Sequence, residues 1–424
     1  SLEPSSVQPR FCPLGRDVMW KPLALATVLQ VLHLPCASAV AGPEKDWAAV
    51  GAAIDAFKFL PDAAFSAGDS TGRRHTHAKG RTTMQTRVLM ASSSKFPAVV
   101  AIGGVINDGL ISFDTLASDV FDWWTTDPAD LRSRVRLSHF LGFVSGMVSD
   151  DYGNAGIACL NSFWVQPEWC TRQIYDKGPW TAEPNTTWSY HSLHLQVAGA
   201  MAAKAAKMSV QAMLEKYVLH RVGMSRSFWL GSPNPQLAAS LISTGDDYER
   251  LMLSVLNYEI LPKSILDVME RDSLSGGVKC AENDKDQQLV STYGHYSMGL
   301  YFECVNQEWS DTCLRADIHA DPGAFGYWPL LDRTKGWYMQ IVTERHPTLS
   351  AALKKEYHLT DHDLAALPAL CTYPLRFQVG EHVVKALGKN ISGLPGPGRP
   401  NPLQFICDLL TASAAEDAEE AILI

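Results

Sequence analysis

Residues 96–110 constrain the fold of this chain more than any other stretch. Phe96, Val99, Val100, Ile106 and Leu110 mark one helical face, while Ala98, Ala101, Ile102 and Val105 cover much of the others. A helix that is apolar nearly all round offers water no side, so the pattern predicts a buried helix through the middle of the protein. Pro97 is compatible only with the start of that helix, where backbone N–H groups lack intrahelical acceptors. The first turn therefore falls on the serines of Met90-Ala91-Ser92-Ser93-Ser94-Lys95.

In that segment Ser92 stands three residues before Lys95. Three residues are just under one helical turn, so a hydroxyl at 92 and an amine at 95 leave the same face side by side. A serine hydroxyl is a weak nucleophile until something takes its proton, and a lysine kept neutral by desolvation does this near neutral pH. Ser-x-x-Lys alone is equally compatible with a capped surface helix, so its meaning depends on the rest of the chain.

The 424 residues suffice for one large or two ordinary domains, and 46% hydrophobic against 19% charged residues places the chain among folded proteins. The formal charge of −9 is spread without a basic block, which argues against a nucleic-acid partner. Near the start, Met19-Trp20-Lys21 precedes an apolar run over 22–34 and then Ala37-Ser38-Ala39-Val40-Ala41. This is the pattern of a secretory leader, with cleavage after Ala39 or Ala41. The alternative is a retained anchor, but His33 and Pro35 break the run short of the ~20 residues of a spanning helix. A secreted protein with no stable membrane span is expected, and residues 1–18 read as an upstream extension.

Removing the leader leaves Cys159, Cys170, Cys280, Cys304, Cys313, Cys371 and Cys407. In an exported chain the close couples Cys159 with Cys170 and Cys304 with Cys313 are expected to pair, and one cysteine stays free or pairs elsewhere. No cysteine spacing resembles a zinc site, so neither a metal nor a cofactor is expected. Asn185-Thr186-Thr187 and Asn390-Ile391-Ser392 are glycosylation triplets.

Along the chain, residues 46–59 read as an amphipathic helix, and 63–67 with 74–79 as two antiparallel strands around a turn at 68–72. Helices are expected at 138–142, 193–207, 210–220, 246–256 and 263–271. Residues 150–183 read as a long loop region with tryptophan, cysteine and glycine. Strand patterns return at 296–304, 314–320, 323–331 and 337–344, followed by a helix at 375–387. Residues beyond 393 read as a linker and a loosely docked tail. This predicts an α/β (α+β) fold, an antiparallel sheet flanked by helices and interrupted by a large, mostly helical insertion. Its parts would be 1–41 (extension and leader), 42–134 with 289–392 (sheet domain), 135–288 (helical domain) and 393–424 (tail).

Several segments then resemble, in order, the serine β-lactamase and penicillin-binding superfamily, and most closely its class C branch of β-lactamases, D-alanyl-D-alanine carboxypeptidases and esterases. Ser92-Ser93-Ser94-Lys95 is similar to its Ser-x-x-Lys, and residues 107–114 to the turn after that helix. Residues 135–147 resemble Leu-Leu-x-His-x-Ser-Gly-Leu, with Phe143 replacing the usual second histidine. Tyr190-His191-Ser192 resembles Tyr-x-Asn, residues 223–228 the Leu-Gly-Met segment and residues 241–248 Gly-Leu-x-Ser-x-x-x-Asp.

The resemblance implies a β-lactamase/transpeptidase-like fold, Ser92 as nucleophile, Lys95 as its proton acceptor and Tyr190 sharing the proton work. Ser192 replaces the amide that would grip a substrate carbonyl. Relatives carry Lys-Thr-Gly or His-x-Gly where this chain has Ile318-His319-Ala320-Asp321-Pro322-Gly323-Ala324. Aligning His319 with the cation puts Pro322, which has no N–H, where an oxyanion donor is needed. Aligning Gly323 with the motif glycine supplies the Ala324 N–H but puts Asp321 at the cationic position. Ala324 is retained as donor, and His319, read as sharing a strand face with Asp321, as a polar group reaching the site from two residues upstream. The implied activity is two-step acyl transfer on a small-molecule or peptide-like ester or amide. The alternatives are a carboxypeptidase or β-lactamase, and a non-catalytic scaffold or binding relative.

Overall fold

The expected buried helix forms at Lys95–Asn107, and every residue from Lys95 to Ile106 is buried. Pro97 lies in its first turn, as its missing N–H requires. The computed structural model to which this helix belongs describes residues 42–151, 153, 155–304, 309–346, 354–355, 361–391, 406–408 and 410–411. The leader-like segment and the extension before it lie outside the described residues.

In chain order the strands are β1 (Ala63–Asp69), β2 (Gly72–Lys79), β3 (Arg87–Leu89), β4 (Thr187–Trp188), β5 (Phe228–Trp229), β6 (Leu241–Thr244), β7 (Lys279–Cys280), β8 (Tyr301–Phe302), β9 (Ile318–Ala320), β10 (Trp328–Asp332) and β11 (Trp337–Val342). The main sheet runs β2-β1-β11-β10-β9-β8 and its pairs are antiparallel, with Ala64 opposite Val342 and Leu331 opposite His319. The first hairpin and the last strands thus share one sheet, and the mostly helical segment between β2 and β8 is the expected insertion. β1 is buried on both faces along nearly its whole length. Helix Gly245–Leu256 packs on β1 and β11, while helices Gly42–Ala56 and Asp361–Ala386 pack together and reach β2 and β10. This is the expected mixed fold of an antiparallel sheet flanked by helices. β3, β6 and β5 form a second small sheet beside the serine turn.

Local expectations differ from the structure where a short pattern had two readings. Residues 314–320 are not one strand: Asp311–Ala316 is helical, Asp317 ends it in the left-handed region at φ 51°, and β9 follows. Leu314 is 46% exposed, so the alternation there marked no buried face. Within 296–304 only Tyr301–Phe302 is strand, because the chain reverses through Gly299 at φ 82° and Tyr296 bridges back to Tyr301. Residues 321–327 form a turn, so the strand expected at 323–331 starts at Trp328. The 150–183 loop contains a helix, Pro167–Lys177, with proline at its N-terminal end. Helix Asp284–Tyr293 spans the domain boundary placed between 288 and 289.

The C-terminal helix covers Asp361–Ala386, longer than the expected 375–387, and runs through Pro368 and Pro374. Among the described residues three disulfides are present, the two expected couples and Cys371–Cys407, while Cys280 stays a free thiol. The third bridge ties down part of the expected tail, where Ile406, Cys407 and Leu410 are buried; most of residues 393–424 lie outside the described residues. Three disulfides fit an oxidising compartment. Among the described residues no helix is long and apolar enough to cross a membrane.

Candidate active site

The three consecutive serines have different fates. Ser93 Oγ donates to the Asp321 backbone carbonyl, and Ser94 Oγ accepts from Leu241 N at 3.0 Å. Both serve to fasten the turn Ala91–Ser94 to its neighbours, and Met90 N adds a bond to Leu241 O at 2.9 Å. Among the described residues Ser92 is the serine of the three that lines the adjacent cavity. Ala91 just before it holds φ 46°, a backbone conformation uncommon for a residue with a Cβ.

Lys95 Nζ lies 2.9 Å from Ser92 Oγ and 3.0 Å from Ala238 O. Lys95 is only 2% exposed, and its Nζ stands 4.7 Å from the centre of the Tyr190 ring. Burial pulls it down to about 8, against the opposing attraction of Asp321. Asp321 is itself fully buried, and its carboxyl is pushed well above the usual carboxylate range by burial, against the pull of Lys95 and of the Phe96 N–H. Asp321 Oδ2 accepts that N–H at 3.1 Å.

Tyr190 is buried and held by groups that motif reading did not find. Asp286 Oδ1 accepts its backbone N–H at 2.9 Å, while the Lys285 ammonium donates to its carbonyl. Asp286 also takes Ser189 Oγ at 2.8 Å and pairs with Lys285 at 3.1 Å. The local signal was legible, since Asn283 caps the helix Asp284–Tyr293 through Asp286 N at 2.8 Å. Its long-range partner, about a hundred residues upstream, was not. Phe143, in place of the second histidine, packs 5.5 Å from the Tyr190 ring and stacks on His194 at 4.8 Å.

Ser92, Lys95, Tyr190, Ser192 and Ala324 all line one cavity of ≈ 380 Å³. Much of the remaining wall is apolar, with Leu89, Leu230, Leu289, Pro322 and Phe325. Lys95 is the one charged side chain in that lining among the described residues. Gly323 stands just behind it, where an added Cβ would lie 2.3 Å from Met90 O and 3.1 Å from Ser93 Oγ. Only glycine permits this approach, which sets the neighbouring Ala324 N–H beside the serine turn. That N–H takes part in no backbone turn or ladder bond among the described residues. The alignment that equates Gly323 with the motif glycine is the one compatible with this placement.

His319 is not brought into the cavity. Its ring is fully buried, packs 4.4 Å from Phe302, and its Nε2 pairs with Asp317 Oδ1 at 2.9 Å. The expectation took His319 and Asp321 to share a strand face. β9 stops at Ala320, so the alternation does not carry through, and Asp321 turns under the serine helix.

Gly323→Ala is expected to lower stability by about 1–3 kcal/mol, because the new methyl must push the turn off Met90. It should also slow acylation of Ser92 by about 10²-fold, because Ala324 moves with it. Thermal unfolding and the labelling rate with a fluorophosphonate measure the two effects.

A family model described as Beta-lactamase matches residues 52–295, more than half of the chain, and the chain belongs to that family. The matched span holds Ser92, Lys95, Tyr190 and Ser192 and ends before the 321–327 turn. Among solved structures the chain is similar to a putative beta-lactamase from Bacteroides dorei DSM 17855, at 20% identity over 70% of this chain and 90% of that one, with TM-score 0.56. It is also similar to an octameric penicillin-binding protein homologue from Pyrococcus abyssi, at 16% identity over 83% and 79%, with TM-score 0.57. A third is EstCE1, a hydrolase with promiscuous acyltransferase activity, at 14% identity over 76% and 98%, with TM-score 0.56. At these identities the likeness is one of fold. No curated protein matches the chain.

Proposed function

We propose that this member of the β-lactamase family is a serine hydrolase that acylates Ser92 and prefers neutral, apolar esters. The observation that carries the reading is Lys95 Nζ at 2.9 Å from Ser92 Oγ, buried and held near pH 8, at the wall of an apolar cavity. In the first step neutral Lys95 takes the Ser92 proton as Oγ bonds to the substrate carbonyl carbon. The carbonyl oxygen becomes an oxyanion facing the N–H groups of Ser92 and Ala324. The C–O bond to the leaving alcohol then breaks, and the alkoxide takes the proton back from Lys95, directly or through the Tyr190 hydroxyl. Water repeats the sequence on the acyl-serine and releases the acid.

The ester preference follows from charge. Peptidoglycan-like amides and β-lactams present a free carboxylate, which needs a cation at the cavity edge. In this chain Asp321 holds the corresponding place in the sequence but is buried under the serine helix, outside the lining, and among the described residues that lining has no cation besides Lys95. Ser192 supplies a short hydroxyl where an amide would have held a peptide carbonyl. The three disulfides support an exported location.

The test is to treat the full chain with a fluorescent fluorophosphonate and, separately, a fluorescent penicillin. The fluorophosphonate is expected to label the peptide that contains Ser92, and the penicillin to leave it unlabelled. Comparable penicillin labelling would restore the carboxypeptidase or β-lactamase reading, and no labelling by either would favour the non-catalytic one. Because Lys95 must be neutral to act, the labelling rate should rise about tenfold per pH unit below about 8 and level off above it. A rate flat from pH 6 to 9 would remove Lys95 from the base role.

A further inference from the structure

Nine large hydrophobic side chains are exposed among the described residues, and five of them, Phe163, Trp164, Trp169, Phe228 and Leu230, fall on two short segments. Scattered apolar residues on a surface need no explanation, but Phe163, Trp164 and Leu230 are gathered. The Phe163 ring lies against Gly231, where an added Cβ would meet it at 2.2 Å. Asn234 N donates to Phe163 O at 3.3 Å, and Asn234 Nδ2 reaches Cys159 O and Ser162 O at 3.0 and 3.2 Å. Phe228 and Leu230 are exposed on either side of the buried Trp229. Phe163 and Leu230 also line the cavity of Ser92, so the two segments form part of its mouth.

Trp164, next to Phe163, is 85% exposed. The frame that presents it is tied at both ends. Cys159–Cys170 closes the loop, and buried Asn234, gripped by Gln196 Nε2 at 2.8 Å, holds its backbone. An indole held in water at the mouth of an apolar cavity gains most by entering a lipid–water interface, where its ring is buried and its N–H stays wet. The net charge of −9 disfavours an anionic surface.

We propose that this aromatic rim docks on a zwitterionic lipid surface, with Trp164 at headgroup depth, so that acyl esters pass from the surface to Ser92. The docking stands on the rim alone; the delivery of esters rests on the hydrolase reading above. Tryptophan emission of the full chain and of Trp164→Phe is compared in the presence of phosphatidylcholine vesicles with plain or brominated acyl chains. The difference between the two proteins isolates the Trp164 indole from the other tryptophans, including Trp20 in the leader-like segment.

Brominated chains are expected to remove about half or more of that difference signal. Trp164→Ser should weaken vesicle flotation by about tenfold with an unchanged thermal midpoint. An unquenched difference signal overturns the proposal, as does a Trp164-dependent dimer formed without lipid, which would make a second copy the occupant. Ser92→Ala is expected to dock as the wild type does. Failure of the hydrolase reading, seen as absent Ser92 labelling, is therefore distinguished from failure of docking, seen as absent quenching.

Discussion

Ser92→Ala is expected to cut ester turnover by about 10⁴- to 10⁶-fold while leaving the fold intact. The loss is large because Ser92 Oγ is the atom that would carry the acyl group, and the neighbouring hydroxyls are committed elsewhere. Ser93 and Ser94 are buried and bound to Asp321 O and Leu241 N, so neither can turn into the cavity without breaking the turn. The fold should be indifferent because Ser92 faces the cavity, and Lys95 keeps its bond to Ala238 O when the hydroxyl is gone. Steady-state hydrolysis of a short-chain ester and a thermal melt check both halves. Retention of more than about a hundredth of the wild-type rate would move the nucleophile away from Ser92.

Lys95→Met is expected to move activity and stability in opposite directions. Acylation should fall by about 10³- to 10⁴-fold, since no other described side chain lies where it could take the Ser92 proton except through Tyr190. Stability at pH 7 should rise by about 1–2 kcal/mol: relief of burying the ammonium exceeds the loss of its two hydrogen bonds. Lys95 has its folded value lowered to about 8 from 10.5, so between these values the unfolded chain binds more protons than the folded one. The burial penalty is therefore fully present below about pH 8 and is relieved as pH rises toward 10.5. The advantage of the methionine variant should shrink over that window, and melts at pH 7 and pH 10 test the sign. A lysine that costs stability yet stays buried beside a serine is what the acylation proposed for Ser92 requires.

Much of this site could be read from residue order because its core is local. Ser92 and Lys95 are three residues apart on a helix whose burial follows from Phe96, Val99, Val100 and Ile106, so one short window specified both the pair and its desolvation. Tyr190 required a motif, since nothing in its own window says that it meets Lys95. The groups that hold Tyr190 escaped sequence reading for a related reason. Asp286 and Lys285 look like the charged first turn of an exposed helix, and only the packing of Asp284–Tyr293 against the Tyr190 segment buries them.

The strand beside the cavity marks where local pattern failed. Ile318-His319-Ala320-Asp321 alternates as a strand should, which suggested that His319 and Asp321 share a face. The ladder with β10 ends at Ala320, and Gly323 draws the chain onto Met90, so Asp321 enters the site region and His319 does not. The tail shows the same limit, since Cys407 has no near neighbour that announces Cys371 as its partner.

The sequence by itself determined the buried helix, the Ser92–Lys95 pair, the first hairpin and the two short-range disulfides, because each depends on residues within about one or two turns or a single loop of one another. Only the tertiary structure decided that Ala324 and not His319 reaches the cavity, that Asp286 and Lys285 hold Tyr190, and that Phe163 and Leu230 meet at its mouth. Those facts depend on where separate elements stop and which faces they bury against each other. Such contacts join residues about seventy or more positions apart, and no local periodicity encodes them.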